Sequence, residues 1–168
     1  KQSFLTVSYD ANGADQGVPP VDQMVIKGYD LAFAGGEGLS RVGHNFTGWN
    51  TAADGTGYSL NAGAVTTVAV NFSPRFHLAK LYAQWSPNSY TLSFDSAGGS
   101  PVESITQNYD TAVAAPAPPT RECYTFTGGN PAIPQTMPAE SRSLAALWSV
   151  NSYTLSFDSA GGSPVESI

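Results

Sequence analysis

An 18-residue segment occurs twice in this chain without a single change. It spans Asn88–Ile105 and returns as Asn151–Ile168, so the two copies begin 63 residues apart. A constant spacing in this range is typical of tandem repeats, in which each repeat is one small structural unit. The sequence therefore predicts an array of repeated units.

The copied segment has the pattern of a strand followed by a turn. Tyr90, Leu92 and Phe94 alternate with polar residues, which is the period of a strand with one buried face. Glycines and a proline follow in Gly98–Pro101 and predict a turn. A diverged form of the same pattern covers Leu5–Gly13, so three openings of one unit are present.

The positions of these openings predict the domain organisation. We assign repeat 1 to residues 1–86, repeat 2 to residues 87–149, and the first strand and turn of a truncated repeat 3 to residues 150–168. Repeats 1 and 2 close with similar alternating segments, Leu81–Trp85 and Leu144–Trp148. These segments predict a final strand in each repeat.

Further strands are predicted from β-branched and aromatic residues. They are Met24–Asp30, Phe46–Asn50, Val65–Phe72 and Ile105–Asp110, with a loop at Ser73–His77. The proline-rich segment Ala114–Pro119 is excluded from strand and helix interiors. The expected fold is mainly β.

Composition excludes several classes of function. The formal charge is −6 and the pI about 4.6, which argues against nucleic acid because phosphate binding needs clustered Lys and Arg. No run of about 18 apolar residues predicts a membrane span. Cys123 is the single cysteine, so an intrachain disulfide is impossible. A Ser-, Thr- and Gly-rich acidic chain fits a bacterial surface protein.

Four motifs occur in order in repeat 2: YTLSFDSAGG (90–99), ITQNYDTAV (105–113), PTRECYTFTGG (119–129) and MPAESRSLAALW (137–148). This series resembles the Listeria–Bacteroides repeat, also called the internalin B-repeat family. The resemblance implies tandem β-grasp (ubiquitin-like, α+β) units in secreted or cell-surface bacterial proteins. It implies neither catalytic residues nor a cofactor.

Repeat 2 departs from the family pattern at one aromatic position. Gly129 stands where repeat 1 has Trp49, and loss of a large core side chain costs about 3–5 kcal/mol when nothing refills the space. A weaker core is therefore expected in repeat 2. Ile133, Met137 or Leu147 is a candidate to refill part of it.

Ionisable side chains offer few site candidates. Asp10, Asn12 and Asp15 resemble part of a calcium loop but lack its further oxygen ligands, so a hairpin turn is favoured. His44 and His77 have no His or Cys partner at metal-ligand spacing. Cys123 precedes a strand, where a structural role is favoured over nucleophilic catalysis. We therefore predict no metal, no cofactor and no enzymatic activity.

Aromatic side chains are the remaining candidates for a binding site. The three tryptophans are predicted to be core residues, because small β domains need bulky aromatics to bury enough area. Tyr58 and Tyr82 are the candidate partner-binding residues, and Tyr29 and Tyr109 are further aromatic candidates.

Two functions from different classes follow. The first is a structural stalk or filament, with contacts between neighbouring repeats or copies of the chain through strand edges. The alternative is an adhesive module in repeat 1 that binds a host glycan or protein. In both cases the expected location is extracellular or on the bacterial cell surface. Whether segment 150–168 pairs within its chain or with a neighbour stays open.

Overall fold

The computed structural model of the chain describes residues 4–26, 28–67 and 78–167. Within these ranges every helix-or-strand element is a strand, which confirms the mainly β fold. The chain divides into two compact units. The first contains residues 1–89 with 108–110, and the second contains residues 90–107 with 111–168.

Eleven strands are present in the described residues. They are β1 Phe4–Asp10, β2 Gln23–Ile26, β3 Asp30–Ala32, β4 His44–Asn50, β5 Ser59–Leu60, β6 Val65–Thr67, β7 Leu78–Pro87, β8 Ser89–Asp95, β9 Ile105–Asn108, β10 Tyr124–Asn130 and β11 Arg142–Val150. The predicted opening and closing strands of repeats 1 and 2 are among them, whereas the opening strand predicted for repeat 3 is not.

The opening and closing strands lie side by side in the centre of each main sheet. The strand orders are β2-β1-β7-β4-β5 and β9-β8-β11-β10. In both sheets the central pair is parallel, with Thr6 opposite Leu78 and Leu92 opposite Arg142. β2 pairs antiparallel with β1. A separate two-stranded sheet joins β3 and β6.

The core of the first unit is formed by strands in which apolar and polar side chains alternate. Leu5, Val7 and Tyr9 on β1 are all buried, and their polar neighbours are more exposed. Leu81 on β7 and Trp49 on β4 complete the layer. Because the central strands are adjacent, apolar side chains far apart in sequence are buried against one another.

The core of the second unit is smaller. Leu92, Met137 and Leu144 are its buried members, and partly buried residues such as Ile133 pack against them. Leu147 is 47% exposed, so the expectation that it refills the space of the missing indole was wrong. Its position on β11 points it away from the core side, since Leu144 is buried.

One predicted element differs from the structure, and two others lie partly or wholly outside the described residues. The strand expected over Met24–Asp30 is interrupted, because β2 ends at Ile26 and Gly28 has φ +93° before β3 begins. The strand expected over Val65–Phe72 is described only as far as Thr67. The rest of that strand and the predicted loop Ser73–His77 lie outside the described residues.

Residues 151–167 contain a turn but no strand. The turn lies near Ala160, and the preceding apolar side chains, Tyr153, Leu155 and Phe157, are 45–70% exposed. An isolated strand and turn has too few partners for stability in water.

Candidate functional site

Tyr58 lies in the turn between β4 and β5, with its side chain 81% exposed. Its backbone is held in place by Thr51: the Tyr58 N–H donates to Thr51 Oγ1 at 2.9 Å, and the Thr51 N–H donates to the Tyr58 carbonyl at 3.1 Å. The ring is thus presented to solvent on a hydrogen-bonded turn.

Tyr82 lies on β7 and is half-buried. The Lys80 ammonium is 5.2 Å from the centre of its ring, a cation–π distance. Lys80 also forms an ion pair with Asp10 at 2.6 Å. This tyrosine therefore has a charged neighbour on its own strand, whereas Tyr58 has a ring open to water.

The two tyrosines approach the same strand from opposite sides. Asn50, the last residue of β4, lies opposite Tyr82 on one side and opposite Ser59 on the other. Tyr58 directly precedes Ser59. The structure therefore places both candidates at the same end of β4, although on different neighbouring strands.

Asn50 is the buried polar residue that organises this end of the strand. It is 1% exposed, and its amide N–H groups donate to the Gly55 and Gly57 carbonyls and to Ser59 Oγ at 3.1–3.2 Å. Its side-chain oxygen accepts the Ala52 N–H at 2.8 Å. Sequence reasoning missed this residue; the signal was an Asn placed directly before a glycine-rich turn.

Tyr9 and Asp10, neighbours on β1 of the first sheet, both have shifted pKa values. The hydrogen bond from Lys80 lowers the pKa of Asp10, and the Asn12 N–H acts in the same direction. Burial raises the pKa of Tyr9. The Tyr9 hydroxyl donates to Gln23 Oε1 and accepts the Ala34 N–H at 3.0 Å, which makes it a structural link between the opening strand and its neighbours.

The residues that resembled a calcium loop form a turn. Asn12 and Gly13 have φ of +44° and +85°, and the Asn12 amide donates to the Ala83 carbonyl at 2.7 Å. The Asp10 carboxylate is paired with Lys80, and the Asp15 carboxylate accepts the Val42 N–H. The predicted turn is present. It does not close a tight hairpin, because the next strand, β2, begins only at Gln23.

The other ionisable candidates lie apart. The His44 ring nitrogen Nδ1 is 2.8 Å from the Val42 carbonyl. Cys123 is exposed, with φ +62°, at a position that corresponds to Gly43 in the first unit. His77 lies outside the described residues. Across residues 4–26, 28–67 and 78–167, no group of three or more His, Cys, Asp or Glu side chains has the geometry to hold a metal.

The tryptophans differ in depth. Trp49 is 1% exposed, as predicted for a core residue, and its N–H donates to the Ala34 carbonyl at 2.8 Å. Trp85 and Trp148 are half-buried. Their N–H groups donate to carbonyls in the turn after the opening strand, that of Trp148 to Ser96 at 3.0 Å. Trp85 and Trp148 therefore pack over these turns and hydrogen-bond to them.

The two remaining aromatic candidates have different surroundings. Tyr29 is 62% exposed. Tyr109 belongs to the first unit, where its ring meets the edge of the His44 ring at 5.7 Å and 84°.

A family model described as the Listeria-Bacteroides repeat domain matches residues 5–73 and 90–131. The chain belongs to this repeat family. Each match to the Listeria-Bacteroides repeat begins on an opening strand, at Leu5 in β1 and at Tyr90 in β8. The resemblance seen in the four ordered motifs is thereby confirmed.

Two relatives come from Evansella cellulosilytica. One, described as a Gly-rich membrane protein, is 34% identical over 96% of this chain and 19% of its own length. The other, described as a membrane protein, is 31% identical over 76% of this chain and 19% of its own length. Internalin H of Listeria monocytogenes is 35% identical over 53% of this chain and 14% of its own length.

This segment of Listeria-Bacteroides repeats spans less than a fifth of the length of these curated relatives. No solved structure matches the chain. Within the described residues, no helix has the length and apolar character needed to cross a membrane.

Proposed function

We propose that these repeats are a structural spacer of a bacterial surface protein. The internalin and membrane-protein names of the relatives support a location at the bacterial envelope or surface. In this proposal the repeats supply length and make contacts, and they carry out no reaction.

The parallel central pair is the observation that carries the proposal. The opening and closing strands of each unit run in the same direction next to one another. The chain therefore comes in at one end of the sheet and leaves at the opposite end. An antiparallel pair would return the chain to the end where it began, so this topology favours an array that gains length with every unit.

The register of the central pair gives the distance that the chain advances along each unit. Thr6 lies opposite Leu78, so the first central pair extends from Phe4 to Pro87. At about 3.3 Å per residue, the chain advances roughly 35 Å between them. The second unit has the same arrangement from Ser89 to Val150 and gives a similar step.

Pulling on the chain would load this central pair in shear. All hydrogen bonds between two parallel strands resist together when their opposite ends are pulled, whereas a hairpin opens one bond at a time. The topology thus supports a role that requires mechanical resistance. β10 is a terminal strand of its sheet, and we propose its edge for contacts with further copies, since an unpaired edge accepts strands.

Scattering from arrays of defined length tests the spacer. Proteins carrying one, two and four copies of residues 88–150 are compared by small-angle X-ray scattering. We expect the maximum dimension to grow by roughly 35 Å per copy. Matched arrays with 20-residue Gly-Ser linkers should lose this linear growth, because flexible linkers follow a square-root law. Compact particles whose dimension does not grow with copy number would contradict the proposal.

A second candidate function rests on Tyr58. A tyrosine ring that is 81% exposed on a hydrogen-bonded turn suits stacking on a sugar or contact with a protein. In this alternative the first repeat is an adhesive module for a host glycan or protein. Saturable binding on a glycan array that is lost in Tyr58→Ala or Tyr82→Ala, and kept in Tyr29→Ala, supports it.

We assign each unit to the β-grasp class. The support is a parallel central pair of opening and closing strands, with the second strand beside the opening strand and β4 or β10 beside the closing strand. We also keep the repeat limits at residues 1–86 and 87–149, with residues 150–168 as the opening of a further repeat.

A further inference from the structure

The second unit contains an apolar cavity of about 190 Å³ that is partly open to solvent. Phe94, Phe126, Ile133 and Leu144 line it together with the proline-rich segment 115–119. Enclosed apolar cavities of ~150 Å³ in engineered cores bind benzene. This cavity therefore has the size and the lining for a small aromatic group.

The first unit shows which side chain occupies the corresponding space. Trp49 pairs with Ala83 of the closing strand, and Gly129 pairs with Ala146 of the closing strand. In both units the preceding glycine sits at a strand bulge with φ near +135°. Trp49 and Gly129 thus hold the same place in their sheets, and Gly129 lines the cavity.

The walls correspond as well. In the first unit, the Tyr9 and Phe46 rings lie 4.7 and 5.2 Å from the Trp49 ring, measured between ring centres. The residues at those places in the second unit are Phe94 and Phe126, and both line the cavity. The second unit has kept the aromatic walls of an indole site while losing the indole.

We propose that the second unit binds a small planar aromatic molecule of indole size in this cavity. An aromatic ring placed there covers apolar surface of Phe94 and Phe126, which hold the places of the Tyr9 and Phe46 rings that contact Trp49 in the first unit. In the first unit the Trp49 N–H also donates to the Ala34 carbonyl.

The backbone at Gly129 permits a direct test of occupancy. A Cβ added at Gly129 would have its nearest contact at 3.3 Å, with the Pro131 carbonyl oxygen. A side chain is thus tolerated with a small shift. Gly129→Trp supplies a tethered indole, while Gly129→Ala adds the same Cβ and leaves the cavity open, which makes it the matched control.

Titration of the unmodified chain with indole, followed by amide NMR, is the experiment. We expect saturable shifts at Phe126, Gly129 and Ile133, with a Kd of about 0.1–1 mM for a ligand of this size. Gly129→Trp should weaken binding more than about tenfold, and Gly129→Ala less than about threefold. Intermolecular NOEs from indole protons to Phe94 and Phe126 place the ligand even if Gly129→Trp does not fold.

Other outcomes overturn the proposal. It is wrong if no saturable shift is seen in the unmodified chain, if the shifts persist unchanged in a folded Gly129→Trp, or if indole promotes self-association without NOEs to the cavity. Trp49→Gly, which opens the counterpart space in the first unit, serves as a positive control. Its thermal stability should rise when indole is added.

Discussion

The two identical 18-residue segments have different structures. In the first copy, Tyr90–Asp95 lies in β8 and Leu92 is fully buried. In the second copy, no strand forms and the equivalent Leu155 is 56% exposed. Since the residues are the same, the difference comes entirely from what surrounds them.

The turn, by contrast, is the same in both copies. Ala97 has φ +47° and Ala160 has φ +46°. The carboxylates of Asp95 and Asp158 each accept the N–H of the residue two positions later, at 2.9 Å. These bonds join residues within one short segment, so they form without help from the rest of the fold.

Long-range partners explain why the strand forms only once. β8 has β11 on one side and β9 on the other. The turn after it also receives the Trp148 N–H at the Ser96 carbonyl and the Arg121 guanidinium at the Ala97 carbonyl, at 3.0 and 3.1 Å. In the part of the chain that the structure describes, residues 152–158 have no neighbouring strand. A strand requires such a neighbour to satisfy its backbone groups.

The largest expected effect is a difference in the free energy of unfolding between two variants that carry the same Leu→Ala substitution, one in each copy. Leu92→Ala should lower the free energy of unfolding of the second unit by about 2–5 kcal/mol, because it opens space in a small core. Leu155→Ala should change it by less than about 0.5 kcal/mol, as is usual for exposed positions. Urea unfolding followed by amide signals of the second unit measures both.

Equal losses for the two variants would contradict this picture. They would mean that the second copy is packed in solution as the first one is. Leu147→Ala, on the exposed side of β11, is the control for a substitution of the same size outside the core.

A smaller effect is expected at the turn. Ala97→Gly should stabilise the second unit by about 0.5–1 kcal/mol, because it relieves a left-handed backbone at a residue with a Cβ. Ala160→Gly has the same local effect but should leave the unfolding midpoint of the second unit unchanged. The same urea experiment reads both. A loss of stability in Ala97→Gly would show that the cost of this backbone conformation is negligible.

The smallest expected effect on stability concerns an ion pair that, among the described residues, the opening strand β1 has and the opening strand β8 lacks. Asp10 is paired with Lys80, while Asp95 has Ser143, a neutral residue, at the corresponding place on its closing strand. The pKa of Asp10 is lowered in the folded state by that hydrogen bond. Its contribution to stability is therefore present above the ordinary Asp pKa of about 3.9 and is lost as pH falls through the lower, folded value.

Lys80→Ser tests this contribution, because it places in the first unit the residue that the second unit has at the corresponding position, Ser143. We expect a small drop in the urea midpoint of the first unit at pH 7 and no drop at the acid end of the range, with less effect in high salt. The midpoint of the second unit should not respond. A drop of the same size at every pH would assign the effect to lost packing of the lysine chain.

Much of the fold was predictable from local patterns. The alternation of Leu5, Val7 and Tyr9 predicted β1 and its buried face correctly. The break at Gly28 was not predicted, because a strand-like composition continues on both sides of it. The parallel pairing of the first and last strands was also missed, since periodicity shows which face is buried but carries no information about which strand lies next to it.

The candidate sites show the same division. Exposure of Tyr58 and burial of Trp49 agree with their sequence context, in a turn and in a strand. The role of Asn50 depends on three carbonyl and hydroxyl partners that only the folded loop brings together. Gly129, which replaces a tryptophan, indicated from the sequence that space is left in the core of the second unit. Whether neighbouring side chains fill that space depends on the tertiary structure, and Leu147 does not fill it.

The sequence by itself determined the Asp-Ser-Ala-Gly-Gly turn, which has the same backbone and the same hydrogen bonds wherever these residues occur. Only the tertiary structure decided whether the residues before it became a strand. The physical reason is the span of the bonds: those of the turn join residues two or three positions apart, whereas those of β8 reach β11, about 50 residues further along the chain.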